Sequence, residues 1–240
     1  MLMAAANPSR ATTDFAALRR TMVECQIRTF DVTDQVLLAR FLEVPRELFV
    51  PPQLAALAYS DATLKVGLSD GEERQRSLLP PLVLARLMQA AEIGPSDKIL
   101  DVAAGTGYST ALLAGLGHEV IALETDPALA ATITANLAKL GSLPARTVTG
   151  PLAAGAPAEG PFDLIFVNGA VESHLEQLFA QLKDGGRMIA IKVDSSAGGT
   201  AKPSHAMRFD KTNGAVGWRQ LFDVGAPVLK SFATGVHFVF

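Results

Sequence analysis

The chain has 240 residues, 49% of them hydrophobic and 19% charged, with a formal net charge of −3. It is long enough to bury a full core and too apolar for a disordered chain, and its slight negative charge supplies no global attraction to nucleic acid or an anionic membrane. One cysteine, Cys25, and four scattered histidines argue against a disulfide framework and a cysteine-based zinc site, so no metal is expected.

Met1 to Thr13 reads as a frayed arm. Met1 to Arg20 lacks the continuous apolar core of a secretory leader, and no run is long enough to cross a bilayer, so a cytoplasmic location is expected. Asp14 is a plausible N-cap for a helix carrying Phe15, Leu18, Met22 and Cys25 or Gln26. Cys25 reads as a small buried hydrophobe. A second helix should begin near Thr33 or Asp34, carry Val36, Leu37, Phe41 and Leu42, and stop at Pro45. Arg46 to Pro52 leads into a short helix through Leu54 to Tyr59, with Phe49 and Tyr59 as core residues. Gly71 to Ser77 is a charged loop, in which Arg74 and Arg76 read equally well as solvated side chains. Pro80 opens a helix through Leu82, Val83, Leu87 and Met88 that ends near Gly94-Pro95.

The stretch from Lys98 to Asn136 organises the chain. Ile99-Leu100-Asp101-Val102 reads as a buried parallel strand, Ala103 to Gly107 as a tight turn, Tyr108 to Leu116 as a helix, and Val120 to Glu124 as a second strand. Gly105 and Gly107 let the backbone turn sharply and approach a ligand. Glu124 lies about twenty residues beyond the turn, where a carboxylate accepts hydrogen bonds from ribose hydroxyls. The unit should therefore bind an adenosine-like nucleoside. A dinucleotide turn would carry a third glycine where Thr110 stands, which weakens a dehydrogenase reading.

Leu137 to Leu140 continues a helix capped by Gly141, and Arg146 to Thr149 is a third strand. Ala153 to Gly160 reads as loop and Asp163 to Asn168 as a fourth strand. The end of that strand falls beside the glycine turn in a doubly wound sheet, so Asn168 is either a turn former or a ligand contact. Leu175 to Leu182 should be helix, Asp184 to Arg187 a tight turn, and Met188 to Val193 a fifth strand. A glycine-rich link, Ser195 to Pro203, precedes a hairpin of His205 to Phe209 and Trp218 to Asp223 around Thr212-Asn213-Gly214. Val236 to Phe240 could form a last strand. His174 and His205 show no carboxylate or serine partner in the sequence and read as surface or packing residues.

Asp101-x-Ala103-x-Gly105-x-Gly107 resembles the first motif of class I methyltransferases. The resemblance implies S-adenosyl-L-methionine (SAM) as cofactor and S-adenosyl-L-homocysteine (SAH) as product, held at Asp101, Ala103, Gly105, Thr106 and Gly107; Glu124, by its spacing, and Asn168, by its position, complete the expected cofactor-binding set. A narrower resemblance lies upstream. Met22-Val23, Gln26, Val44-Pro45-Arg46, Phe49-Val50-Pro51, Ala58-Tyr59 and Asp61, with Gly185-Gly186-Arg187 further on, are similar in order to elements of protein-L-isoaspartate O-methyltransferases. This covers roughly Thr21 to Arg187, and its N-terminal elements are not general to methyltransferases.

The resemblance breaks at two places. The family carries Gly-Gln-Thr-Ile-Ser-x-Pro before the helix at Pro80. Anchored on Pro80, this chain places Leu78 at the serine, Ser77 one place earlier, Arg76 at the threonine and Gln75 at the glutamine. After the third strand, where the family has an acidic residue beside the adenine, the chain has Gly150-Pro151-Leu152.

The expected fold is an α/β doubly wound, mostly parallel sheet of the Rossmann-like, class I SAM-dependent methyltransferase type. An N-terminal helical cap and substrate loop (1–93) should precede the SAM-binding part (94–240), the two forming one unit. The expected activity is methyl transfer to isoaspartyl carboxylates of damaged proteins or peptides, with Ser77 and Arg76 contacting the acceptor. A methyltransferase with another acceptor, or a non-catalytic SAM-binding homologue, also fits the altered loop. No membrane or nucleic-acid partner is expected, and no residue pattern sets an oligomeric state.

Overall fold

In the computed structural model, residues 13–66, 75–194 and 202–234 are described. The N-terminal arm up to Thr12, Arg74, most of the glycine-rich link and the run Val236 to Phe240 lie outside them.

Apolar strands that are buried on both faces dictate a central sheet covered on both sides. Seven strands lie in the order β5-β4-β3-β6-β7-β8-β9. They are β3 (Lys98–Val102), β4 (Glu119–Glu124), β5 (Ala145–Thr149), β6 (Phe162–Val171), β7 (Leu182–Val193), β8 (Ser204–Thr212) and β9 (Ala215–Asp223). Pairings from β5 across to β7 are parallel, and β8 and β9 add antiparallel. This is the doubly wound, mostly parallel sheet that the sequence predicts. Alternate residues face opposite ways. Ile99, Val120, Leu164 and Ile189 join one apolar cluster, and Leu100, Ile121, Ile165 and Met188 join the other.

The first cluster also takes in the N-terminal elements. Helix α1 (Phe15–Thr21) starts on Asp14, whose Oδ1 accepts from Ala17 N at 2.9 Å. It runs on through a π-helical turn, Met22–Ile27, that buries Met22, Val23 and Ile27. Cys25 is exposed on that turn, contrary to the expectation of a buried thiol: the wider spacing turns it away from its three buried neighbours. Helix α2 (Gln35–Glu43) is capped by Asp34 and stops before Pro45. It buries Leu37, Leu38 and Phe41, but Val36 and Leu42 face outwards, because the apolar stripe is one residue wide of the expected one. The expected helix at Leu54 to Tyr59 is a 3-10 segment, Pro52–Leu57, while Phe49 and Tyr59 are buried as predicted.

Strands β1 (Leu64–Lys65) and β2 (Ser77–Leu78) make a small antiparallel pair ahead of α3 (Pro81–Ala91). Arg187, of the Gly-Gly-Arg element, closes the end of α3: its guanidinium donates to Ala91 O, to Glu92 O at 2.9 Å and to Asp97 Oδ2 at 2.5 Å.

Several boundaries differ from the sequence reading. Helix α4 (Tyr108–Leu113) ends before Leu116, and the predicted helix at Leu175 to Leu182 shortens to α6 (Glu176–Ala180). The predicted loop after Gly150 includes a 3-10 turn, Leu152–Ala154. Asp184 to Gly186 lies within β7, not ahead of it. Pairing jumps from Phe162–Leu182 to Leu164–Arg187, so the turn, with Gly185 at φ +81°, survives as a bulge. The remaining helix, α5, is Pro127–Ala138. Among the described residues no helix is long and apolar enough to cross a membrane.

Candidate active site

Strands β3 and β4 end side by side, with Val102 level with Leu123 on one side and on the other with Val167 of β6, which runs on to Val171. Ligands of open α/β sheets bind outside such strand ends, where the chain order reverses. Here the reversal lies between β3 and β6.

The turn after β3 has three residues in left-handed conformation: Ala103 (φ +58°), Gly105 (φ +63°) and Gly107 (φ +94°). At Gly107 a Cβ would lie 3.0 Å from Ile133 Cγ2 of α5, so glycine lets α5 pack against the turn. Thr106 is tied down from two directions. Its Oγ1 donates to Phe49 O at 2.6 Å, and its carbonyl accepts from Asn136 Nδ2 at 3.0 Å.

Asp101 is completely enclosed. Its Oδ2 accepts from Ser109 Oγ at 2.8 Å and Thr110 Oγ1 at 2.6 Å, and its Oδ1 from Asn168 Nδ2 at 2.6 Å. Burial pushes its pKa up to about 6, against the three hydrogen bonds that pull it down. Asn168 reaches Asp101 because pairing slips between Phe166–Ile189 and Ala170–Ile191, which leaves Asn168 and Gly169 in a bulge of β6. Asp101 thus binds the first turn of α4 and the end of β6 to β3. Ser109 and Thr110 were missed in the sequence. The usable signal was two hydroxyls in the helix turn that follows a buried strand acid.

Glu124 ends β4 and is likewise completely enclosed. Its Oε1 accepts from Gly105 N at 2.7 Å and its Oε2 from Thr125 N at 3.1 Å. Arg76 comes down from the segment ahead of β2 and forks onto both oxygens, Nε to Oε1 at 2.9 Å and Nη2 to Oε2 at 2.8 Å. It also reaches Thr125 Oγ1 at 3.1 Å. The solvated reading of Arg76 is therefore overturned: its side chain is 4% exposed, packed on the glycine turn by its partner 48 residues away. Ser77 follows it in β2, half-buried and level with Lys65, while Leu78 is buried.

Beyond β5 the amide of Gly150 is committed to Glu124 O at 2.9 Å, and Pro151 has no N–H. The opposite wall comes from the C-terminal segment. Pro227 O accepts from Ala170 N and Leu229 N donates to Ala170 O, both at 2.9 Å, in the sheet position that β3 leaves empty beyond Val102. A Cβ on Gly169 would lie 2.8 Å from Leu229 Cγ, so glycine is needed there for close approach.

The donor set fits a nucleoside cofactor. A carboxylate at the end of the second strand suits vicinal ribose hydroxyls, and the glycine turn lets a ligand lie against backbone. His205, expected to lack a carboxylate partner, has one: Nδ1 lies 2.8 Å from Asp223 Oδ1. That pair is on the β8–β9 hairpin, where His205 lies level with Lys192 of β7.

Residues 19–224 match the family described as Protein-L-isoaspartate(D-aspartate) O-methyltransferase (PCMT). The chain belongs to this family. It is 36% identical over 177 residues to a Protein-L-isoaspartate O-methyltransferase of Koribacter versatilis (strain Ellin345), spanning 74% of this chain and 77% of that protein. It is 38% identical over 181 residues to one of Methylorubrum extorquens (strain PA1), spanning 75% and 76%. Among solved structures, a protein-L-isoaspartate O-methyltransferase superposes with a TM-score of 0.73 at 24% identity, over 92% of this chain and 66% of that one. A Plasmodium falciparum protein described as a protein-L-isoaspartate O-methyltransferase, in complex with SAH, gives 0.71 at 19% identity, over 92% and 100%. These two likenesses carry the fold. The family match begins in α1, so it includes the N-terminal elements that Thr106 fastens to the glycine turn.

Proposed function

We propose that this family member transfers the methyl group of SAM to the carboxylate of an isoaspartyl residue in a protein or peptide. The observation that carries this reading is the continuity of family match and geometry. The cap that is particular to the family is bonded, through Phe49 and Thr106, to the turn on which a nucleoside would lie. A cytoplasmic setting accords with the single cysteine.

SAM supplies a methyl carbon already activated by the neighbouring sulfonium. The acceptor carboxylate is ionised near neutral pH and needs no general base. As its oxygen–carbon bond forms, the carbon–sulfur bond breaks, leaving a methyl ester and SAH. What the chain contributes is alignment and exclusion of water. Asp101 and its three donors hold the glycine turn and the end of β6 in fixed relation. Glu124 offers its oxygens to the ribose. Ser77 and Arg76 stand at the threonine-serine region of the family pattern, so we assign them to the acceptor; Arg76 must first give up Glu124, on which its guanidinium is forked.

Leu78 at the position of the family's serine favours a second reading, a carboxylate acceptor other than isoaspartate. Labelled-methyl transfer from SAM to an isoaspartyl peptide, beside its aspartyl counterpart, separates the two. Label on the isoaspartyl peptide alone supports the first reading. No label on either, with SAM binding confirmed in the same preparation, rejects it.

A further inference from the structure

The oxygens of Glu124 have no acceptor capacity to spare. A carboxylate offers about four lone-pair sites. Gly105 N and Arg76 Nε occupy those of Oε1, and Thr125 N and Arg76 Nη2 those of Oε2, which Arg76 Nε also reaches at 3.1 Å. The two backbone donors belong to the glycine turn and to the end of β4, and cannot leave without unmaking the site. The guanidinium can leave. The stem of Arg76 also lies on the turn: a Cβ at Gly105 would be 3.6 Å from Arg76 Cβ and 3.8 Å from Val66 Cγ2.

We infer that Arg76 is an exchangeable latch: the ribose diol and the Arg76 guanidinium compete for the same two lone pairs of Glu124, so cofactor binding expels the guanidinium. Two hydroxyl donors replace two guanidinium donors, and the buried carboxylate is not left bare in either state. Displaced from Glu124, the guanidinium can then meet an anion beside the methyl donor. A carboxylate acceptor is such an anion, with the planar geometry that a guanidinium fork matches. The cofactor would therefore bind first and the acceptor second. This last step rests on the proposed methyl transfer to a carboxylate; the competition at Glu124 does not.

The test is calorimetric titration of the full-length chain with SAH, adenosine and 2′,3′-dideoxyadenosine. Arg76→Met keeps the aliphatic stem on Gly105 and removes the fork. The variant should bind SAH and adenosine about tenfold more tightly than the wild type, a gain of the size of one lost competing contact. It should show no gain for the dideoxy analogue, which has no hydroxyls to claim the freed oxygens. Equal or weaker binding of SAH, or the same gain for both nucleosides, would overturn the exchange; the latter would mean that the variant merely loosens the segment. Arg76→Lys, with a single donor head, should fall between, and decides alone by the same criteria should the Met variant not fold. Tighter SAH binding by the variant, together with no methyl transfer to an isoaspartyl peptide by the wild type, would support the latch and remove the isoaspartyl reading, so the two fail separately.

Discussion

Thr106 Oγ1 donates a 2.6 Å hydrogen bond to the carbonyl of Phe49, 57 residues back along the chain. The bond joins the N-terminal elements to the glycine turn that we propose carries the cofactor, and it is buried. Thr106→Val keeps the shape and leaves a buried carbonyl unpaired, at a cost of about 1–3 kcal/mol. Urea unfolding should show this loss, and SAH affinity should fall with it. Thr106→Ser, which retains the hydroxyl, should recover most of both. An unchanged unfolding midpoint for the valine variant would show that the bond contributes nothing.

Removing Glu124 has two separable effects. Glu124→Ala should abolish measurable SAH binding, and it strands the Arg76 guanidinium in a buried place, for about 3–5 kcal/mol of stability. Adding Arg76→Met to Glu124→Ala should restore a large part of the stability and none of the binding. A double-mutant cycle by chemical denaturation measures the first, calorimetry the second. Additive stability losses would mean that the pair is not coupled.

Asp101 gives a pH dependence of unusual sign. Its folded pKa is raised to about 6 from 3.8, chiefly by burial. Between those values the folded chain holds a proton that the unfolded chain releases, so this group's contribution to stability declines as pH rises through the window. Ordinary salt-bridged carboxylates do the opposite. The stability of the wild type relative to Asp101→Asn should therefore be greater at pH 4.5 than at pH 7.5. A difference that stays level across that range would place the carboxyl at its ordinary value.

Gly169 sits against the C-terminal segment. Gly169→Ala should cost about 1–3 kcal/mol through overpacking on Leu229. Leu229→Ala alone should also destabilise, by loss of buried area, but in its background the Gly169→Ala penalty should shrink. Thermal unfolding of the four proteins decides it, and an undiminished penalty would trace the cost to backbone conformation instead.

What could be read from the sequence was what lies close along the chain. The strand, the glycine turn, helix α4, the second strand and Glu124 follow one another within a single unit, and their spacing states their geometry. The destination of Arg76 was hidden, because a charge pair between a loop and a strand end 48 residues apart has no periodicity. The His205–Asp223 pair was hidden for a subtler reason. Counting outward from the Asn213-Gly214 turn sets His205 opposite Phe222, but a bulge between Ala206 and Met207 moves the register by one and delivers Asp223. Asn168 was noticed for its place at a strand end. Its hold on Asp101 depends on another bulge, and bulges leave little trace in hydrophobic pattern.

The segment from Pro227 to Phe232 completes one wall of the cleft, through Ala170, Glu172 and Ser173. Those residues leave the ribosome after every described strand of the sheet. A nascent chain can thus assemble its nucleotide fold while the cleft still lacks a side, with Gly169 uncovered. That side closes when the chain behind the hairpin folds back along β6. A chain cut short after β9 would keep its sheet and lack the Pro227–Phe232 segment that lies along β6.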